Sequence, residues 1–350
     1  MIVETLWERA LHQSGAHSAV AAGEGLVVVH ERRTRLVGLD AGDGAPRWDV
    51  PGGTWPRAVV VADGRCLVLP QAPDTLDCRD LADGTVVWSA RLPRHTGHLV
   101  VADGVVLVGG WRGYTPLAAF DLGDGRPLWR GTEPVRTGHP LVWGGGVLCG
   151  SGLDVWLVDP RTGAELARWR LPGAAAHGAV ADAELQPVFT ALDPDRCVVR
   201  CGPRALVLLR RSAGTAGSWF SHDADLAARA PELCGAVLWL RERRAGWVAV
   251  DPADGRRLWT VAGGPASAWG VAEVGGGFVV VDEGGSLLRL DADGRVLGRQ
   301  PVGRRISALH GLGGGRVAVS GKGTLKGLAL GWATGAAGLS TRVDTSGSST

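Results

Sequence analysis

Apolar residues come in short bursts along this chain, separated by polar turns at regular intervals. The runs Leu26-Val27-Val28-Val29, Leu67-Val68-Leu69, Val105-Val106-Leu107-Val108, Val147-Leu148, Val237-Leu238-Trp239, Phe278-Val279-Val280-Val281 and Val317-Ala318-Val319 are rich in β-branched residues. That composition predicts strands buried between neighbouring layers, because branched side chains favour the pleated backbone. Each run follows a glycine, usually in an Ala-Asp-Gly or Gly-Gly turn where a positive φ costs little. A second strand then leads into a polar phrase, as Arg35-Leu36-Val37-Gly38-Leu39 leads into Asp40.

The polar phrase is the repeating feature. Leu39-Asp40 runs through Asp43-Gly44 to Trp48, Arg79-Asp80 through Asp83-Gly84 to Trp88, Phe120-Asp121 through Asp124-Gly125 to Trp129, and Val250-Asp251 through Asp254-Gly255 to Trp259. Looser copies are Val158-Asp159 to Trp169, Arg211 through Gly214 to Trp219, Leu290-Asp291 through Asp293-Gly294, and Leu330-Gly331 through Thr334-Gly335. The turns start at 40, 80, 121, 159, 211, 251, 291 and 331, so the spacings are 40, 41, 38, 52, 40, 40 and 40. A period of about forty residues is that of a propeller with four-stranded blades. The fold class expected is therefore all-β, an eight-bladed β-propeller of four-stranded antiparallel blades, spanning residues 1–338 as one domain. Each unit reads as inner strand A, then B, C, the Asp-Gly turn, and outer strand D. The segment Leu6-Trp7-Glu8 looks like an outer strand detached from its blade, and pairing it with the last unit would close the ring and remove the exposed sheet edges. Seven blades is the alternative, should unit 5 or unit 8 fail to form a full blade. Unit 5 is longer by 52 − 40 = 12 residues, placed around Leu192–Arg196, and Phe220–Arg229 reads as a loop or short helix. Residues 339–350 read as a disordered polar tail.

The phrase Leu-Asp-Ala-x-Asp-Gly-x-x-x-Trp resembles the repeat of the PQQ-like propeller family, which includes quinoprotein alcohol dehydrogenases and an outer-membrane assembly lipoprotein. The resemblance extends from about residue 5 to residue 335. It implies the fold, and it implies little about activity, since propellers host many. The quinone enzymes of the family carry an adjacent-cysteine disulfide and a calcium site with Asn among its ligands. This chain has no adjacent cysteines and no Asn, so neither PQQ nor calcium is expected. The Asp-Gly pairs are turn chemistry first, and they lack the closing Glu of a calcium loop.

Composition narrows the function further. Lys+Arg is 37 against 35 Asp+Glu, a net charge of +2, which gives no reason to expect nucleic acid or a membrane surface as partner. The first residues, Met1-Ile2-Val3-Glu4-Thr5-Leu6, lack the basic-then-apolar order of a signal peptide, and a soluble cytoplasmic monomer is the expectation. Six scattered cysteines do not make a disulfide framework, and the close pair Cys197 and Cys201 has no partner set to complete a zinc site. Ser320-Gly321-Lys322-Gly323-Thr324 resembles a phosphate loop but lacks its spacing and falls in a B–C hairpin.

The histidines point to one face. Of nine, His17, His95, His98, His139, His177, His222 and His310 lie just before or within the start of an A strand, on the side away from the Asp-Gly turns. Trp55, Arg57, Arg136, Trp269, Arg304 and Arg305 take similar places, and the facing B–C loops add His30, Trp111, Arg112, Tyr114 and Arg241. Two readings follow. In one, the channel mouth binds a small organic molecule and transforms it by proton transfer, cyclisation or lyase chemistry, with His98, His139 or His177 as acid or base and His17, Trp55, Arg57, Trp111, Arg112, Tyr114, Arg136, His222, Trp269 and His310 holding the ligand. Three imidazoles converging there would instead form a transition-metal site. In the other, the propeller is a non-catalytic scaffold whose face carrying Trp111, Arg112, Tyr114 and Arg241 receives a partner protein.

Overall fold

Blade 1 shows how the sequence pattern becomes a sheet. Strands A (Val20–Gly23), B (Leu26–Glu31), C (Arg35–Asp40) and D (Pro46–Pro51) pair antiparallel in chain order. Strand B is an unbroken apolar run because both its faces are buried: Val27 and Val29 pack with the blade before, and Val28 with the blade after. Strand D is mostly exposed and buries Trp48 alone. The structure, a computed structural model, describes residues 2–11, 19–94, 96–110, 115–135, 140–172, 188–227, 230–243, 246–262, 270–282, 284–303 and 306–331.

Eight such sheets form the molecule. Blade 2 spans Ala58–Arg91, blade 3 Thr96–Pro134, blade 4 Leu141–Arg170, blade 5 Val188–Ser221, blade 6 Glu232–Ala262 and blade 7 Val271–Pro301. Blade 8 takes A, B and C from Ile306–Gly331 and its outer strand from Ile2–Ala10, which pairs antiparallel with Thr324–Gly331. Each A strand touches the A strand of the next blade right round the ring. The apolar interior is correspondingly divided into eight clusters, one at each junction between blades. No helix occurs among the described residues.

The repeated phrase does two separate jobs. Its first Asp caps a turn: Asp40 Oδ1 accepts the Gly42 N–H at 2.8 Å, and Asp80, Asp121, Asp159 and Asp251 do the same at 2.8–2.9 Å. Its Trp reaches across to the next blade. Trp48 lies over Gly84, Trp88 over Gly125, Trp129 over Gly163, Trp259 over Gly294, and Trp7 over Gly44. Each of these glycines has a φ between 70° and 80°, and a Cβ there would come within 3 Å of the indole. The turn glycine thus serves both the left-handed backbone and the ring above it. Trp48, Trp88 and Trp129 also donate Nε1–H to the carbonyls of Leu81, Leu122 and Pro160 at 2.8–2.9 Å.

Unit 5 departs from the sequence reading. Its extra length falls mainly between Arg170 and Val188, whereas Leu192–Asp195 is only a tight A–B turn. The segment expected as a loop or short helix begins with the last residues of strand D, Thr215–Ser221, and continues as a loop through Ala227. Trp219 does not take the place of the other tryptophans, because a bulge between Leu206 and Val207 skips it and sets Phe220 over Gly255. Trp169 also leaves the pattern, packing against Trp143 at 5.8 Å between ring centres, and Gly214 has no ring above it. The last turn phrase beyond Gly331 and the tail 339–350 lie outside the described residues.

Candidate functional site

The A-strand starts, the B–C loops and the ends of the D strands share one face, as the register of every blade requires. His17, Trp111, Arg112, Tyr114, Arg136, His139, His177 and Trp269 lie outside the described residues. The remaining expected site residues do not form one group. Trp55 stands in the connection from blade 1 to blade 2, is 37% exposed, and holds a left-handed backbone with φ 46°. Two residues on, Arg57 Nη1 donates to the Thr96 carbonyl of blade 3 at 2.7 Å, tying two A-strand starts together. His98 is buried, because a register shift between Thr96 and His98 folds the ring in beside Gly110 and Val135. His310 sits in mid-strand A of blade 8, where burial holds its imidazole below the ordinary histidine range.

His222 follows strand D of blade 5 and turns into the junction with blade 6. Its Nε2 lies 2.7 Å from Glu242 Oε1 at the end of strand B, and its ring meets Phe220 edge-on at 6.2 Å. Arg257 Nη2 completes the group, 2.7 Å from Asp223 and 3.4 Å from Glu242. The site is therefore between blades and away from the A strands. Neighbouring Arg241, expected on a docking face, is buried with its guanidinium 4.9 Å over the Trp247 ring.

Two further groups stand out, one around His30, which the sequence placed in a B–C loop of this face, and one around Glu232, which it did not mark. At the ring seam, Glu31 is 1% exposed and accepts from Arg9 at 2.6 and 3.0 Å and from Arg32 at 2.7 Å. Despite the opposing effect of burial, these guanidiniums hold its carboxyl below the usual range. His30 beside it donates Nε2–H to the Gly53 carbonyl at 3.0 Å, and burial lowers its pKa. On the inner ring, Glu232 begins strand A of blade 6 and its Oε1 accepts the Val271 N–H of blade 7 at 3.1 Å, while Oε2 is buried without a hydrogen bond. Burial raises its pKa. No short-range motif announces an isolated acid in an apolar strand, so only the structure finds it. The six cysteines are free thiols, and burial pushes Cys66 and Cys197 up to about 12.

Clefts among the described residues are open grooves near the outer strands and turns. One lies between blades 3 and 4 under Trp129, Trp156 and Arg168, and another, about 520 Å³, beside Trp143, Pro194 and Arg211. No helix among the described residues is long and apolar enough to cross a membrane.

Comparison with known proteins gives a consistent fold. The sequence profile of the family described as outer membrane protein assembly factor BamB matches residues 50–219 and 244–337. No curated protein matches the chain. Among solved structures, BamB from Moraxella catarrhalis is similar with a TM-score of 0.72 and 17% identity, covering 94% of this chain and 98% of that one. The computationally designed protein Ika8 is similar with a TM-score of 0.72 and 16% identity, over 92% of this chain and 98% of its own. At such identities the likeness speaks for the fold.

Proposed function

The chain belongs to the family of the outer membrane protein assembly factor BamB, built on PQQ-like repeats, and from that premise we propose that it is an interaction scaffold which receives a partner protein on its A-start face. Trp55 carries this reading. A large indole is held open to solvent on that face by a left-handed backbone that non-glycine residues rarely adopt. Backbone strain of this kind persists where the surroundings hold it and is typical of binding positions. Tryptophan is also the side chain most enriched at the energetic centre of protein interfaces. The test is co-purification of a partner with wild type and with Trp55→Ala. Loss of the partner by a variant that melts like wild type supports the reading, and unchanged capture removes Trp55 from the interface.

A small molecule in the channel is the second reading, favoured by Glu232. Its Oε2 is buried at the start of an inner strand without a hydrogen bond, an oxygen that a ligand's donor could satisfy if it reached that depth. Native mass spectrometry of the purified protein checks it: a bound organic molecule lost in Glu232→Gln supports channel binding, and the bare chain mass in both argues for the scaffold alone. We propose a cytoplasmic location, a compartment in which buried thiols such as Cys66 and Cys197 stay reduced; cell fractionation tests this.

A further inference from the structure

The group at the junction of blades 5 and 6 has a chemistry that the scaffold reading leaves unused. The geometry points to a divalent transition-metal site, of the zinc class, formed by His222, Asp223 and Glu242 and covered by the Arg257 side chain. One ligand atom from each of the three residues lies within 4.8 Å of the other two. The His222 Nε2 to Asp223 Oδ1 distance is 3.7 Å and that to Glu242 Oε1 is 2.7 Å. Zinc bonds of about 2.0–2.2 Å to nitrogen and oxygen set tetrahedral ligands roughly 3.5 Å apart, so the His222–Glu242 separation has to open while the His222–Asp223 separation already fits, and the two carboxylates lie within 4.8 Å of each other. Imidazole with two carboxylates is a ligand set that suits zinc and leaves a fourth position for water.

The positions of these ligands are built into the fold. His222 N–H bonds to the Arg204 carbonyl, Leu226 N–H to Pro203, Ala227 N–H to Arg241, and Arg243 N–H to Asp225, each at 2.7–2.8 Å. The loop bearing His222 and Asp223 is thereby pinned to the B–C turn of blade 5 and to the strand end that presents Glu242. Phe220 fixes the plane of the imidazole from one side. His222 and Glu242 are buried, while Asp223 is open to solvent and provides the entry side.

Arg257 balances the charge of the two carboxylates. Blades 1 and 3 have a proline, Pro46 and Pro127, at the corresponding start of strand D, and blade 2 has Val86. Here a guanidinium lies against both carboxylates and supplies the positive charge that a buried Glu242 requires. It is half exposed on a flexible stem and its pair with open Asp223 contributes little, so a dication that brings the same charge to Glu242 can displace it. Arg257 is thus a competitor for the site as well as its cover.

The test is calorimetric titration of the full chain with Zn²⁺, with Co²⁺ absorption as a second readout. One Zn²⁺ should bind in a manner weakened at least tenfold in His222→Ala and in Glu242→Gln, and Arg257→Gln should bind tighter than wild type by a similar factor. The cobalt complex should show the intense visible bands of a four-coordinate site, lost in His222→Ala. Zinc affinity unaffected by His222→Ala, attributable to histidines elsewhere, would overturn the proposal, as would Arg257→Gln that binds no tighter than wild type. Should the His222 variant fail to fold, the Arg257 variant and the cobalt spectrum of wild type decide the matter alone.

Discussion

A buried tryptophan and a half-buried one stand in similar places in this sequence and do different work. Trp48 covers Gly84 and bonds Leu81, whereas the bulge in blade 5 leaves Trp219 outside that role and gives it to Phe220. Trp48→Ala and Phe220→Ala should each cost about 3–5 kcal/mol in denaturant unfolding, and Trp219→Ala clearly less. Equal losses for Trp219 and Phe220 would show that the bulge does not select the locking ring. Titratable residues give a second expectation. Burial lowers the pKa of His30 and His310 from 6.5, so the unfolded chain takes up protons that the fold refuses. Stability from these two is present above pH 6.5 and lost as the pH falls below it. Melting temperature should therefore drop from pH 7 to pH 5.5, and His310→Gln should flatten part of that slope. Asp-Gly turns were legible in the sequence because both residues act within a few positions of each other. The ring over each turn was not, because it comes from the phrase one blade earlier. Nor was the burial of His98 and His222, since a register shift or a loop between blades decides whether a histidine at a strand start faces water.

Among the elements, the N-terminal strand joins three blades. Besides its ladder with Thr324–Gly331, it exchanges two hydrogen bonds between Val3 and Gln300 of blade 7, lays Trp7 on Gly44 of blade 1, and sends Arg9 to Glu31. Arg9→Gln leaves a buried carboxylate with Arg32 as its remaining partner and should cost on the order of 2 kcal/mol, in full above about pH 4.5 and fading below it as the pH falls through the lowered pKa of folded Glu31. A urea series at pH 7 and pH 3.5 measures both halves of that statement. The strand itself was readable from Leu6-Trp7-Glu8, since Trp in a strand with no preceding blade implies a partner elsewhere in the chain. Its ion pair was not, because Arg9 and Glu31 lie in different units and nothing in their spacing relates them.

For the molecule as a whole, the division of the core into eight inter-blade clusters makes each junction a separate cohesive unit. Among the described residues, two junctions show no ring over a turn glycine. Between blades 4 and 5 the Trp143–Trp169 pair replaces it, and between blades 7 and 8 the position four residues after Gly294 is Gly298, leaving Gln300 to hold the seam. Amide exchange should be faster in strand D of blade 7 than in strand D of blade 2, which Trp88 locks; equal protection would mean that the rings contribute no local stability. The forty-residue period, and with it blade number and ring closure, was the most legible feature of the sequence, because it is repeated. The metal-type cluster was the least, because it occurs once and joins His222 to a carboxylate twenty positions away. Ile2 lies directly beside Gly331, so the ladder of blade 8 is indifferent to which of its strands comes first along the chain. A gene rewritten to join the two ends through the residues after Gly331 and to open instead between Pro301 and Ile306 would encode a circularly permuted protein with the same strand neighbours throughout, and its circular dichroism should match that of the parent.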